Sequence, residues 1–127
     1  MKRLISKHIL LGITGSVAAY KAAVLARQLR EAGADVRVMM TQGAVTFITP
    51  MTFQALTGHP VHTELLDEQA EAAMGHIELA RWADCIVIAP ASADSIARIV
   101  QGRADDLLAA VCLASAAPLL VAPAMNQ

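Results

Sequence analysis

GHIELARWADCIVIAPASADS, Gly75 to Ser95, sets a short helix, a buried strand and a second helix start in direct succession. His76 and Glu78 open the helical segment His76–Ala83, whose outer turns carry Arg81 and Trp82. Cys85–Ala89 is a continuous apolar run, the pattern of a strand covered on both faces of a parallel sheet. Pro90 to Ser95 then supplies small residues and hydroxyls at that strand's carboxyl end. In open α/β sheets, ligands bind there.

The same alternation extends in both directions. His8–Ile13 reads as a first strand, followed by the turn Thr14-Gly15-Ser16 and a helix over Val17–Ala32. Ala18, Lys21, Ala22, Leu25, Leu29 and Ala32 give that helix a stripe of period 3.6, and Gly33 suits its C-terminal cap. Asp35–Met40 is a second strand ending at Thr41. From Asp94 onward the spacing predicts a helix over Asp94–Val100, a break at Gly102, a helix over Asp105–Ala114 and a strand over Leu119–Ala122. The stretch Pro50–Met74 predicts a short helix at Met51–Leu56, a turn at Thr57-Gly58, and a mobile acidic stretch holding Glu64, Asp67, Glu68 and Glu71. Strand and helix in alternation mean βαβ units, a parallel sheet and an α/β fold.

Composition narrows the function classes. A chain of 127 residues makes one domain with a real core, 56% hydrophobic but only 3% aromatic, so that core is built from Ala, Val, Leu and Ile. A net charge of -1 supplies no basic field for nucleic acid. Cys85 and Cys112 lie in apolar segments without metal-type spacing, which predicts buried reduced thiols and a cytoplasmic protein. The opening MKRLISKHILLGITGSVAA imitates a signal peptide, but Gly12, Thr14 and Gly15 interrupt its apolar run. Leu107–Met125 is uncharged, yet Pro118 and Pro123 fit a buried helix followed by a core strand rather than a membrane span.

Several groups bear on chemistry. In Gly12-Ile13-Thr14-Gly15-Ser16, glycines allow a tight turn, and free N–H groups with the Ser16 hydroxyl can hold a phosphate. A plain glycine turn with Ser16 as N-cap fits equally well. The spacing is not Gly-x-Gly-x-x-Gly, and Thr41 rather than an acid ends the second strand, so a mononucleotide phosphate is favoured over a dinucleotide. His76 reads either as a surface histidine at a helix start or as a base near pH 7. No metal site is predicted: His8, His59 and His62 share no ligand spacing, and His59-Pro60-Val61-His62 reads as a solvated loop. Asp105-Asp106 reads as charge complementing a helix start, or as carboxylates facing a ligand. Asn126, after Pro123-Ala124-Met125, offers a donor and acceptors at the end of the last strand.

Five motifs, in order, carry a resemblance: Gly15-Ser16-Val17-Ala18-Ala19-Tyr20-Lys21, Gly75-His76-Ile77-Glu78-Leu79, Trp82-Ala83-Asp84, Ala89-Pro90-Ala91-Ser92-Ala93-Asp94 and Pro123-Ala124-Met125-Asn126. Together they resemble the flavin-containing cysteine decarboxylases, above all the amino-terminal phosphopantothenoylcysteine decarboxylase part of bacterial proteins fused to a phosphopantothenate–cysteine ligase. The resemblance spans essentially the whole chain. It implies a Rossmann-like (flavodoxin-like) three-layer fold, FMN as cofactor, and decarboxylation of 4′-phospho-N-pantothenoylcysteine to 4′-phosphopantetheine for coenzyme A. In such enzymes the flavin oxidises the thiol-bearing carbon, the resulting thioaldehyde lets carbon dioxide leave, and the electrons then return.

By motif matching, the resemblance makes His76 the active-site base and Asn126 the residue that holds the substrate carboxylate. It makes Gly15, Ser16, Val17 and Thr41 contacts of the FMN phosphate and ribityl chain, puts Ser92, Ala93, Asp94, Ser95 and Ala124 near the flavin, and packs Phe47 on the isoalloxazine ring. It further implies a homo-oligomer, a trimer or an assembly of trimers. Two departures stand out. The family's flap cysteine, in an Ala-Cys-Gly motif, has no match in Cys85 or Cys112, so residues 1–127 are expected to form the FMN-binding domain without flap or ligase. Asp105 stands where bacterial relatives usually carry Asn. A regulatory flavin-binding subunit and a peptidyl-cysteine decarboxylase are the alternatives that the family offers; a nicotinamide-binding domain fits poorly.

Overall fold

A computed structural model describes residues 3–63 and 72–124. The elements run β1 (His8–Ile13), α1 (Ala19–Glu31), β2 (Asp35–Met40), α2 (Gln42–Phe47), α3 (Pro50–Thr57), α4 (His76–Trp82), β3 (Cys85–Ala91), α5 (Ala93–Val100), α6 (Leu107–Ala114) and β4 (Leu119–Pro123). The strands form a parallel sheet in the order β2-β1-β3-β4. Helices cover both faces, so the α/β three-layer expectation holds. The acidic stretch with Glu64, Asp67, Glu68 and Glu71 lies outside the described residues, as do Met125 and Asn126.

Alternation along β1 and β2 builds two cores. Ile9, Leu11 and Ile13, with Val36, Val38 and Met40, pack against Ala19, Ala22 and Ala26 of α1 and Phe53 of α3. Leu10, Met39, Ile86 and Ile88 pack on the other face against Leu79 and Ala80 of α4 and Leu107, Leu108 and Val111 of α6. Alanines facing the sheet from α1 let that helix sit close to the strands, and its buried residues are Ala19, Ala22 and Ala26. Of the expected stripe of Ala18, Lys21, Ala22, Leu25, Leu29 and Ala32, only Ala22 is buried, and Lys21 is exposed. Trp82 closes the amino edge: His8 stacks on it at 4.6 Å, and the Arg37 guanidinium lies 5.5 Å from its ring centre.

Several boundaries differ from expectation, each for a local reason. Helix α1 starts at Ala19, because Ser16 Oγ accepts from the Ala18 amide and holds 16–18 in a turn. Ser16 is therefore not the N-cap. Strand β3 runs on to Ala91, with a register shift against β4 between Ile88 and Ala91 where Pro90 lacks an N–H to donate. Helix α6 begins at Leu107 rather than Asp105, since Asp106 is its N-cap and accepts from the Ala109 amide at 2.8 Å. Helix α2 was not foreseen: Gly43, Val45 and Thr46 are weak helix formers, and Thr41, capping it through the Ala44 amide, was its one signal.

Candidate functional site

At the carboxyl edge of the sheet, Thr14 ties two loops together. Fully buried, its hydroxyl donates to the Pro90 carbonyl at 2.6 Å and accepts from the Ser92 amide at 2.7 Å, while its own amide bonds Pro90 again at 3.2 Å. The turn after β1 and the turn after β3 are thus held at a fixed separation. Thr41 continues the edge, its amide donating to the Ile13 carbonyl, and the Ala124 amide does the same to Ala91. Sequence reading treated Thr14 as a turn residue and missed this clamp; a β-branched hydroxyl between a buried strand and the glycine turn that follows it was the available signal.

Two adjoining cavities open along this edge. One, of about 440 Å³, is lined by Gly15, Thr41, Gln42, Gly43, Ser92, Asp94, Ser95, Arg98 and Asp106. The other, of about 450 Å³, is lined by Gly15, Ser16, Val17, Phe47, Ser92, Ala93, Asp94 and Ala124. Every residue that the resemblance set beside the flavin lies on one or both walls. Gln42, Gly43 and Arg98 are additions that the sequence did not announce. Of the Asp105-Asp106 pair, read as charge at a helix start or as carboxylates facing a ligand, only Asp106 lines a cavity. Gly15 and Gly43 let two main chains approach: a Cβ on Gly15 would stand 3.1 Å from the Gly43 carbonyl carbon. The volumes fall in the range of small-molecule and cofactor sites. With glycines and hydroxyls lining one cavity and Phe47 on the wall of the other, the lining suits a phosphorylated planar cofactor.

The hydroxyls are preset by the backbone. Thr41 Oγ1 accepts from the Ala44 amide at 3.2 Å, Ser92 Oγ from the Ser95 amide at 3.2 Å, and Ser16 Oγ from the Ala18 amide at 3.1 Å. Each keeps its O–H to donate to a ligand. Among the described residues Arg98 is the one cationic side chain on the first wall, pinned by Asp94 at 3.0 Å and Asp105 at 2.7 Å; these bonds raise its pKa. Asp105 is also held by Arg103 at 2.8 Å and lines neither cavity. The bond from Arg98, more than any other partner, keeps its carboxyl below the ordinary aspartate value. Its extra charge relative to Asn is therefore balanced by two guanidinium groups rather than presented to a ligand. Both thiols are held neutral by burial: Cys85 is pushed up, and Cys112 rises to about 11, with the Asp106 charge adding to the effect.

The histidines separate. His76 opens α4, half-buried, and is not among the residues lining the two cavities. Because α4 ends against the amino edge, where the Asp84 amide bonds the His8 carbonyl, its first residue faces the carboxyl edge. His59 bonds Asp35 at 2.8 Å, and His62 is buried at 2% exposure, which corrects the reading of His59–His62 as a solvated loop. Among the described residues no group of three or more His, Cys, Asp or Glu could hold a metal. Asn126 lies outside the described residues.

The flavoprotein family profile matches residues 2–127. The chain belongs to the flavoprotein family. This flavoprotein is 60% identical over 125 residues to the coenzyme A biosynthesis bifunctional protein CoaBC of Haemophilus influenzae, covering 98% of the chain and 31% of that relative. It thus spans about a third of the length of the curated relatives it matches. Among solved structures, it superposes on the FMN-dependent cysteine decarboxylase SpaF with a TM-score of 0.87 at 34% identity, covering 97% of this chain and 71% of that one. A cysteine-to-serine mutant of PPC decarboxylase complexed with pantothenoylaminoethenethiol gives a TM-score of 0.77 at 35% identity, covering 95% and 68%. No helix of the flavoprotein's described residues is long and apolar enough to cross a membrane.

Proposed function

We propose that this flavoprotein binds FMN and decarboxylates the cysteine part of 4′-phospho-N-pantothenoylcysteine, giving 4′-phosphopantetheine for coenzyme A. The observation that carries this reading is the meeting of Gly15, Ser16, Val17, Thr41, Phe47, Ser92, Ala93, Asp94, Ser95 and Ala124 on two adjoining cavities at the sheet's carboxyl edge. The names of the relatives support it, one being a coenzyme A biosynthesis protein, one an FMN-dependent cysteine decarboxylase and one a PPC decarboxylase.

FMN held by these residues would supply a two-electron acceptor for the carbon bearing the thiol and, in reduced form, a donor of the same pair. The protein's share is position and charge. The Thr41 and Ser92 hydroxyls, and that of Ser16 from the adjoining cavity, fixed by the amides they cap, donate to the phosphate, and Arg98 adds a positive charge beside Thr41 and Ser92. Phe47, 54% exposed, offers an apolar face to the ring system. The His76 imidazole takes the substrate thiol proton as the adjacent carbon is oxidised. The Asn126 amide holds the substrate carboxylate until it leaves. These residues form the cofactor-binding decarboxylase part; the Ala-Cys-Gly flap motif and the ligase are not among them.

The same reading makes the protein a cytoplasmic homo-oligomer, with a trimer as the unit. Val17 in the turn before α1 and Tyr20 and Val24 on α1 stand exposed, and β4 exposes Leu119, Leu120 and Val121 on the sheet's edge. A groove of about 290 Å³ between them is lined by Ala22, Leu25, Pro90 and Ala122. A second subunit laid there would bury this apolar surface beside the cofactor.

Mixing the FMN-loaded protein with phosphopantothenoylcysteine without oxygen tests the assignment. The flavin absorbance bleaches in the wild type, and His76→Asn keeps FMN but loses the bleaching. Bleaching at the wild-type rate in His76→Asn would remove His76 from the reaction; no bleaching in the wild type would remove the substrate.

A further inference from the structure

We infer that His62 is a positioning residue for His76, holding the start of α4 to the outer edge of the sheet through the Met74 carbonyl; this rests on the reading of His76 as the base. The main chain of His62 is fastened to β2 as a single rung of parallel sheet. Its amide donates to the Val38 carbonyl at 3.0 Å, and its carbonyl accepts from the Met40 amide at 2.9 Å. The imidazole, 2% exposed, turns into the face covered by α4, and Nε2 bonds the Met74 carbonyl at 2.8 Å. A carbonyl only accepts, so Nε2 carries the proton. Met74 is two residues before His76, separated from it by Gly75 alone.

The burial argues for a purpose beyond filling space. Leucine or methionine would fill the same site without a polar ring. Nδ1 is buried with no partner among the described residues, so the imidazole contributes one hydrogen bond and leaves an acceptor unused. That bond goes to the place where α4 is least able to hold itself. The helix has seven residues, about two turns, and its N-cap Gly75 has no side chain with which to bond the exposed amides. A short uncapped helix frays from its start, and His76 is its first residue. Anchoring Met74 to a histidine that is itself stitched to β2 fixes where the first turn begins. The base is thereby referenced to the same sheet that carries the cavities.

The test compares His62→Leu with His62→Gln, whose amide retains a donor at similar reach. With FMN-loaded protein, His62→Leu lowers the limiting rate of flavin bleaching by about ten-fold at unchanged half-saturating substrate, the penalty of a misplaced base. Its His76 Cε1–H NMR signal shifts or broadens, and His62→Gln restores both. Wild-type rate and signal in His62→Leu would overturn the inference. So would equal losses in both variants that track a fall in melting temperature, which is plain core damage. His76→Asn run alongside separates the two readings. If it bleaches normally the base assignment fails, and the His76 signal alone then judges whether His62 sets the start of α4.

Discussion

Gly15→Ala measures how closely the cofactor cradle is built. The new Cβ would stand 3.1 Å from the Gly43 carbonyl carbon, 3.2 Å from its Cα and 3.4 Å from its oxygen. Comfortable carbon contacts lie at roughly 3.5–4.0 Å. All three atoms are backbone, so no rotamer change relieves the contact, and the turn after β1 must part from the start of α2 by a few tenths of an ångström. Gly15 has no positive φ, which leaves the contact as the whole cost. Overpacking of this kind costs about 1–3 kcal/mol. Because the strained chains are the walls of the cavity, about 1.4 kcal/mol of that is expected to appear as weaker FMN binding, about ten-fold in Kd. Gly12→Ala is the control. Its Cβ would meet Ile88 Cδ1 at 2.6 Å and Leu108 Cδ1 at 3.0 Å, both core side chains on the α4 and α6 face. It should lose about 1–3 kcal/mol of stability yet bind FMN normally when folded. Urea unfolding followed by Trp82 fluorescence gives the stabilities, and quenching of FMN fluorescence gives the affinities. Wild-type FMN affinity in Gly15→Ala, or loss of binding in Gly12→Ala instead, would refute the geometry.

Arg98→Gln should weaken FMN while sparing riboflavin, because it removes a cation that lines the cavity with Gly15 and Gly43; equal losses for both flavins in a binding titration would place the phosphate elsewhere. Asp105 has a folded pKa below its ordinary 3.8, so its stabilising contribution is full above that value and is lost as pH falls through the folded one. Wild type should therefore exceed Asp105→Asn in urea midpoint at neutral pH, with the gap closing below about pH 4. Cys112 runs the other way: its thiol rises from 9.0 to about 11, so between those values the unfolded chain ionises first and stability falls with rising pH. Cys112→Ser should flatten that decline, and the wild-type thiol should alkylate slowly at pH 7 by mass spectrometry.

The sheet was legible because its signals are local. All four strands begin and end within two residues of where apolar runs meet small or polar residues, and the apolar run Cys85–Ile88 marked a central strand of the sheet. The cofactor walls were legible through their motifs, which put small and hydroxyl residues at strand ends. What stayed hidden depends on partners distant in sequence. Thr14 meets Pro90 and Ser92 across 76 and 78 residues, and Asp105 is neutralised by Arg98 through a bend at Gly102. His62 looked solvated because it follows Pro60 among polar residues; only its rung on β2 buries it. Helix α2 hid behind poor propensity and is held instead by its Thr41 cap and by Ala44 in the core.

Native mass spectrometry of the purified, folded protein, before and after denaturation, tests the central claim most directly. FMN bound non-covalently, one per chain and released intact on unfolding, with NAD failing to displace it, is the result the account predicts. A folded, colourless protein that takes up no added FMN but binds NAD would contradict it.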